Sequence, residues 1–219
     1  MKFTYSIPTK ILFGPGSFND LATTPLPGKK ALVVITAGKS MRANGYLDRL
    51  IDMLDKQGIG HALFDKILPN PGLRHVHEGA ALAREQGCDF VIGLGGGSSI
   101  DSAKSIAVMA KNPGDYWDYI SGGSGKGQPL VNGALPIVAI ATTAGTGTEA
   151  DPWTVITKED TNEKIGFGCA ETFPVLSVVD PEMMLTIPAH LTAYQGFDAL
   201  FHATEGYIAN VATPLSDAY

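Results

Sequence analysis

The stretch DFVIGLGGGSSIDSAKS, residues 89–105, limits the fold of this chain more than any other. Asp89 to Leu94 is a short apolar run with Val and Ile, the pattern of a buried strand, and Gly95-Gly96-Gly97 interrupts it. From Ser98 to Ala110, alanine and aliphatic residues recur at helical spacing. The order is strand, glycine turn, helix start. Without Cβ atoms the backbone admits a ligand closely, and the free N–H groups of the first helical turn face it. Together with the positive end of the helix dipole, these donors suit a phosphate or diphosphate. A tight connection with no ligand fits the same residues, because a glycine turn alone discriminates weakly.

The rest of the chain supplies the context. Residues 3–13 alternate loosely, with Tyr5, Ile7, Ile11 and Phe13, and predict one or two edge strands before the Gly14-Pro15-Gly16 turn. Ala31 to Thr36 (ALVVIT) predicts a second buried strand, followed by Ala37-Gly38-Lys39-Ser40 and one helical pattern through Gly45, Leu47, Leu50, Ile51 and Leu54 to Gly58. His61 to Phe64 predicts a third strand, leading to Pro69-Asn70-Pro71, where two prolines enforce an extended loop. Val76 to Gln86 is an alanine-rich helix pattern. Strands alternating with helices predict a parallel sheet with helices on both faces and right-handed crossovers. Ligands of such sheets bind beyond the carboxyl ends of the strands.

Gly114 to Gly133, with Tyr116, Trp117 and Tyr119, reads as a surface loop, and Leu135 to Ala141 as another buried strand. That strand ends in Thr142-Thr143-Ala144-Gly145-Thr146-Gly147-Thr148-Glu149, a third ligand-side loop or a Thr-rich turn capped by its own hydroxyls. Val155 to Thr157 and Lys164 to Phe167 predict a hairpin, and Val175 to Val179 a last strand closed by Asp180-Pro181. Composition changes near Pro188: from Leu191 on, helical spacing replaces strand signals. Thr213-Pro214 has the form of a helix start shortly before Tyr219, so the chain is expected to end inside an element, as a truncated product would. The expected architecture is α/β: a Rossmann-like parallel sheet over residues 1–187, then the beginning of an all-helical second domain over 188–219.

Asp198 and His202 stand four apart in that helical region and share a face, within reach of one cation. A carboxylate with an imidazole suits Fe, Zn, Mn or Co. An ordinary Asp–His helix pair has the same spacing, and a catalytic centre needs three or four protein ligands.

A net charge of −6 and a pI near 5.3 argue against a nucleic-acid or anionic-membrane surface. Cys88 and Cys169 are far apart, without metal-ligand spacing, and fit buried thiols of a reduced compartment. Pro8 interrupts an N-terminus with no signal-peptide core, and no run approaches a membrane span, so a cytoplasmic location is expected.

The Gly95-Gly96-Gly97-Ser98 turn with Asp101, TTAGTGTE at Thr142 to Glu149, DPEMMLTIP at Asp180 to Pro188 and GFDALFHATEGY at Gly196 to Tyr207 together resemble the iron-containing (group III) alcohol dehydrogenases. The likeness is to the butanol dehydrogenase and lactaldehyde reductase type and runs over essentially the whole chain. It implies a dinucleotide-binding domain, a helical domain and a metal ion between them, with NAD or NADP exchanging hydride with a small alcohol or aldehyde. A homo-oligomer is expected. Carried over by motif, Gly95, Gly96, Gly97 and Ser98, with Asp101, hold the diphosphate turn; Thr142, Thr143 and Thr148 line the cofactor. Lys164 reaches the ribose side, Asn70 matches a further cofactor contact, and Asp198 and His202 match the first metal ligands, for Fe2+ or Zn2+.

The chain departs from that pattern. The family's further histidine ligands lie beyond Tyr219, which leaves the metal site incomplete and the activity of these residues alone in doubt. NAD-preferring members carry an aspartate where Gly38 stands; without it a 2′-phosphate is not repelled, and Lys39, Ser40 and Arg42 are placed to bind it, which favours NADP. Asp151-Pro152-Trp153 fills a stretch that usually offers smaller or amide side chains near the nicotinamide. One alternative is a non-catalytic nucleotide-binding or assembly module derived from that family. Another is a glycerol dehydrogenase or dehydroquinate synthase type protein, which TTAGTGTE disfavours.

Overall fold

Short β-branched runs bounded by turns become strands, and the alternation of their side chains decides which layer covers each face. The computed structural model describes residue 2 and residues 4–218. Its strands are β1 (Lys10–Phe13), β2 (Lys30–Thr36), β3 (Gly60–Ile67), β4 (Phe90–Gly95), β5 (Ile137–Ala141), β6 (Thr154–Lys158), β7 (Glu163–Phe167) and β8 (Leu176–Val179). Its α-helices are α1 (Ser40–Ala43), α2 (Tyr46–Lys56), α3 (Leu73–Glu85), α4 (Gly97–Lys111) and α5 (Ala189–Ile208). Six strands form one sheet in the order β1-β8-β5-β4-β2-β3, and β6 pairs with β7 as a separate antiparallel hairpin. Every neighbouring pair in the large sheet is parallel.

Along β2, Val33 and Ile35 join a core with Phe18, Leu21 and the α2 residues Leu47, Leu50 and Leu54. Leu32 and Val34 point the other way, into a core with α3 (Val76, Ala80, Ala83) and α4 (Ala103, Ile106, Ala107). Burying a Val, Leu or Ile contributes about 1.5–3 kcal/mol, so both layers are strongly held. The chain runs outward from β2 to β3, then returns to place β4 on the opposite side of β2. The crevice beyond the carboxyl ends of β2 and β4 is therefore the switch point where such sheets take ligands.

Several expectations need adjustment. Within the stretch expected as one or two edge strands over residues 3–13, Lys10–Phe13 forms a strand, paired with β8, and residue 3 lies outside the described residues. The helical pattern after β2 divides into α1 and α2, because Gly45 takes φ +69° between them. The third strand runs on to Ile67, paired with Thr36 across an irregular register. The segment expected as a surface loop hides its aromatics: Tyr116, Trp117, Tyr119 and Ile120 are buried in the α3/α4 layer. Glycines there loop over the surface while the aromatic run turns inward, with the Tyr116 ring edge-on to Phe167 at 5.8 Å. The Thr213-Pro214 start leads to a short 3-10 turn, Ser216–Ala218.

Candidate functional site

Gly95 ends β4 with φ +144°, a conformation that an L side chain avoids, and Gly96 precedes the first turn of α4. A Cβ on Gly96 would lie 2.9 Å from Thr143 Oγ1, and one on Gly97 would lie 3.0 Å from Thr146 Cγ2. The α4 N-terminus thus lies so close to the threonine loop after β5 that a side chain at Gly96 would force Thr143 to shift. The Thr142 amide donates to Gly95 O at 3.0 Å, tying the two loops edge to edge. Ser40, after β2, shares a smaller cavity with Thr142 and Thr143. The loops that sequence reasoning placed at one sheet edge meet there.

A larger cleft of about 720 Å³ opens on the other side of this junction. Gly97, Thr146 and Thr148 line it together with Trp153, Lys164, Asp198 and His202. Lys164 donates to Asn70 Oδ1 at 2.8 Å, so two residues predicted from distant stretches touch. Asn70 adopts φ +54°, and the Thr157 amide donates to Pro71 O, fastening the Pro-Asn-Pro loop to the hairpin. Gly38, Lys39 and Ser40 are exposed at the mouth of the switch point. Arg42 is already engaged, in a 2.6 Å ion pair with Asp65.

Asp101 and Thr148 are tied into the protein itself. One Asp101 carboxylate oxygen accepts from the Thr148 hydroxyl at 2.7 Å, the other from the Val155 amide at 2.9 Å. Burial pushes the Asp101 pKa up despite these bonds and the nearby Lys104 charge. Lys104 escaped the sequence reading altogether. It is fully buried in α4, and its ammonium donates to Thr148 Oγ1 (2.8 Å), Asp151 O (2.9 Å), Asp151 Oδ1 (3.2 Å) and Trp153 O (2.7 Å). Burial lowers its pKa, outweighing the Asp151 and Asp101 charges that raise it. The signal was a lysine three positions after Asp101, in the middle of a helix whose other interior residues from Ser102 to Ala110 are small or apolar.

Asp198 and His202 sit one turn apart on α5, with His202 Nε2 3.8 Å from Asp198 Oδ1. Both are partly exposed and face the cleft. A carboxylate oxygen with an imidazole nitrogen is a donor set that Fe2+ or Zn2+ accepts. Among the described residues, no group of three or more His, Cys, Asp or Glu is placed to hold an ion. The pair fits part of a metal centre, not a whole one. The other four histidines have neighbours elsewhere: His77 contacts Asp115, His61 contacts Asp55, His75 Nε2 lies 3.2 Å from Arg74 Nη2, and the His190 ring is edge-on to Tyr194. Cys88 and Cys169 are free thiols with pKa values raised chiefly by burial. Among the described residues, no helix is long and apolar enough to cross a membrane.

A parallel sheet with a glycine turn feeding a helix at its switch point places the chain in the doubly wound, Rossmann-like class of α/β folds. The model of the iron-containing alcohol dehydrogenase family matches residues 8–181, and the chain belongs to that family. It is 40% identical over 217 residues to a protein named choline dehydrogenase from Bacillus subtilis (strain 168), covering 98% of this chain and 53% of that protein. It is 38% identical over 216 residues to a probable NADH-dependent butanol dehydrogenase 1 of the same organism, covering 98% and 54%. The crystal structure of NADH-dependent butanol dehydrogenase A from Thermotoga maritima superposes with a TM-score of 0.90 at 34% identity, covering 99% of this chain and 54% of that one. The chain thus spans about half the length of the relatives it matches.

Proposed function

We propose that this chain carries the nucleotide site and the first metal ligands of an oxidoreductase that moves hydride between a nicotinamide nucleotide and a small alcohol or aldehyde. The observation that carries the reading is the junction at Gly96 and Gly97, where a Cβ at Gly96 would force Thr143 to shift and one at Gly97 would press tightly on Thr146. In this reading Gly95, Gly96, Gly97 and Ser98 hold the diphosphate on the α4 N-terminus, with Thr142 and Thr143 beside it. Asn70 and Lys164 act as a bonded pair at the ribose side. Asp101 and Thr148 act indirectly, by holding the threonine loop in place. Asp198 and His202 would contribute two ligands to an Fe2+ or Zn2+ ion, which would supply Lewis acidity to a substrate oxygen. The chain's own residues position the nucleotide.

The proposed division is a nucleotide domain over residues 1–187 and a helical metal-binding part from 188. NADP is the proposed nucleotide, because Gly38 offers no carboxylate to repel a 2′-phosphate and Lys39 lies exposed beside it. Arg42, held by Asp65, is left out of that site. The relatives named NADH-dependent favour the opposite choice, so titration with NADPH and NADH side by side tests it. Tighter NADPH binding is expected; tighter NADH binding overturns the preference. The names of the relatives put choline and butanol forward as substrates. A cytoplasmic homo-oligomer completes the proposal.

One observation favours a second reading, nucleotide binding without turnover: among the described residues the Asp198–His202 pair gains no third ligand. An aldehyde-reduction assay with added Fe2+ or Zn2+ separates the two. Chelator-sensitive turnover by the 219-residue chain supports the enzyme, and nucleotide binding without turnover supports the module.

A further inference from the structure

Lys104 has the features of a working residue and no role in the family-derived site. A lysine at 0% exposure is costly unless its charge is met, and here the ammonium's hydrogens are shared among four oxygens. All four belong to one stretch, Thr148 to Trp153, which leads from the threonine loop into β6. Opposite it, Asp101 binds the Thr148 hydroxyl and the Val155 amide, and Asp101 O accepts from Thr154 Oγ1 at 2.8 Å. Lys104 and Asp101 stand on α4, the helix whose first turn meets Thr146 at Gly97. One clamp therefore fixes the threonine loop against the helix that begins at the glycine turn.

The same clamp sets the cleft wall. Trp153 has its carbonyl on Lys104 and its amide on Asp151 Oδ1 at 2.8 Å. A Cβ on Gly168 would lie 3.0 Å and 3.1 Å from adjacent atoms of its ring, so the indole rests on bare backbone on one side. Trp153 is nonetheless 57% exposed and lines the cleft that Asp198 and His202 face. Loop and wall are thus held by one buried cation.

We propose that Lys104 is a positioning residue for nucleotide binding: its ammonium holds the Thr142–Trp153 stretch at the separation from the α4 N-terminus that a diphosphate requires. The inference rests on the nucleotide site proposed above. Lys104 does not touch the ligand; it acts through Thr148, Asp151 and Trp153. A lysine present only for stability would, when replaced, lower the melting temperature and leave the affinity of the folded protein unchanged. A positioning lysine, when replaced, changes affinity in protein that is still folded.

The experiment is calorimetric titration of the 219-residue chain with NADPH, comparing wild type with Lys104→Met, which keeps the length of the side chain without its charge. Thr148→Val, which keeps the shape but breaks the link between Asp101 and Lys104, serves as the second variant. Folding is checked by circular dichroism, and ADP is titrated alongside as a ligand with the diphosphate but no nicotinamide. The expected result is at least tenfold weaker binding of NADPH and ADP by folded Lys104→Met, with a smaller loss in Thr148→Val. Affinities within twofold of wild type in folded Lys104→Met overturn the proposal. If Lys104→Met does not fold, Thr148→Val decides by the same twofold limit. Failure of the wild type to bind either nucleotide removes the nucleotide site itself, a different outcome from unchanged binding by the variants.

Discussion

The helix α4 and the helix α5 both face the cleft, yet they are held in opposite ways. From Ser99 to Met109 only Asp101 of α4 escapes full burial, as the helix lies between the sheet, α3 and the hairpin. On α5 no residue is buried, and Leu191, Tyr194, Phe197, Leu200, Phe201, Tyr207 and Ile208 are exposed. Its recorded ties to the sheet domain are slight: Gln195 Oε1 accepts from the Ala144 amide at 2.8 Å, and Gly145 lets the helix backbone come close. The glycine-turn end of the cleft is built into a packed core, whereas Asp198 and His202 ride on a helix whose apolar side chains stay largely exposed. Nucleotide binding should therefore depend on core packing, and metal binding on two partly exposed side chains.

The sharpest way to break that contrast is a pair of truncations read by urea denaturation. Ile106→Ala in α4 is expected to cost about 2–5 kcal/mol and Leu200→Ala in α5 less than about 0.5 kcal/mol. Similar losses at both sites would erase the distinction. Next, Gly95→Ala puts a Cβ 2.6 Å from Ser99 Oγ at φ +144°. A loss on the order of 2–3 kcal/mol in the same assay is expected, and a neutral result would mean the turn is not fixed as described.

The smallest effect concerns the hairpin that carries Lys164. Hydrogen bonds from Ser124 and Thr161 hold the Glu163 carboxyl at a pKa of about 2, below the ordinary 4.5. A depressed acid contributes stability above its unfolded value, and that contribution is lost as pH falls from 4.5 through about 2. The Ser124 amide shift, followed by NMR, should titrate near pH 2; a midpoint near 4.5 would show that the clamp is absent.

How legible the molecule was in its sequence varied with the range of the interactions involved. The strands β2, β4 and β5 could be read because both of their faces are covered, which leaves unbroken apolar runs such as ALVVIT. The glycine turn and the threonine loop could be read because backbone conformation and close approach restrict residue type locally. The aromatic run Tyr116 to Tyr119 could not, since glycines on either side carry a loop signal and only the tertiary core explains the burial. The division of labour between Asp101 and Lys104 was hidden for a similar reason. Motif resemblance put Asp101 on the cofactor, but its two oxygens meet Thr148 and Val155, residues 47 and 54 positions away. Partners at that separation leave no spacing pattern. Asp198 and His202 were visible because a helix turns spacing into proximity.

The account stands on the close meeting of Gly96 with Thr143, and titration of Gly96→Val with NADPH against the wild type tests it most directly. The branched side chain would occupy the space between them, 2.9 Å from Thr143 Oγ1 at the Cβ alone. The account predicts nucleotide binding by the wild type and at least a hundredfold loss in a variant that circular dichroism shows to be folded. Equal affinity in the two proteins would contradict it.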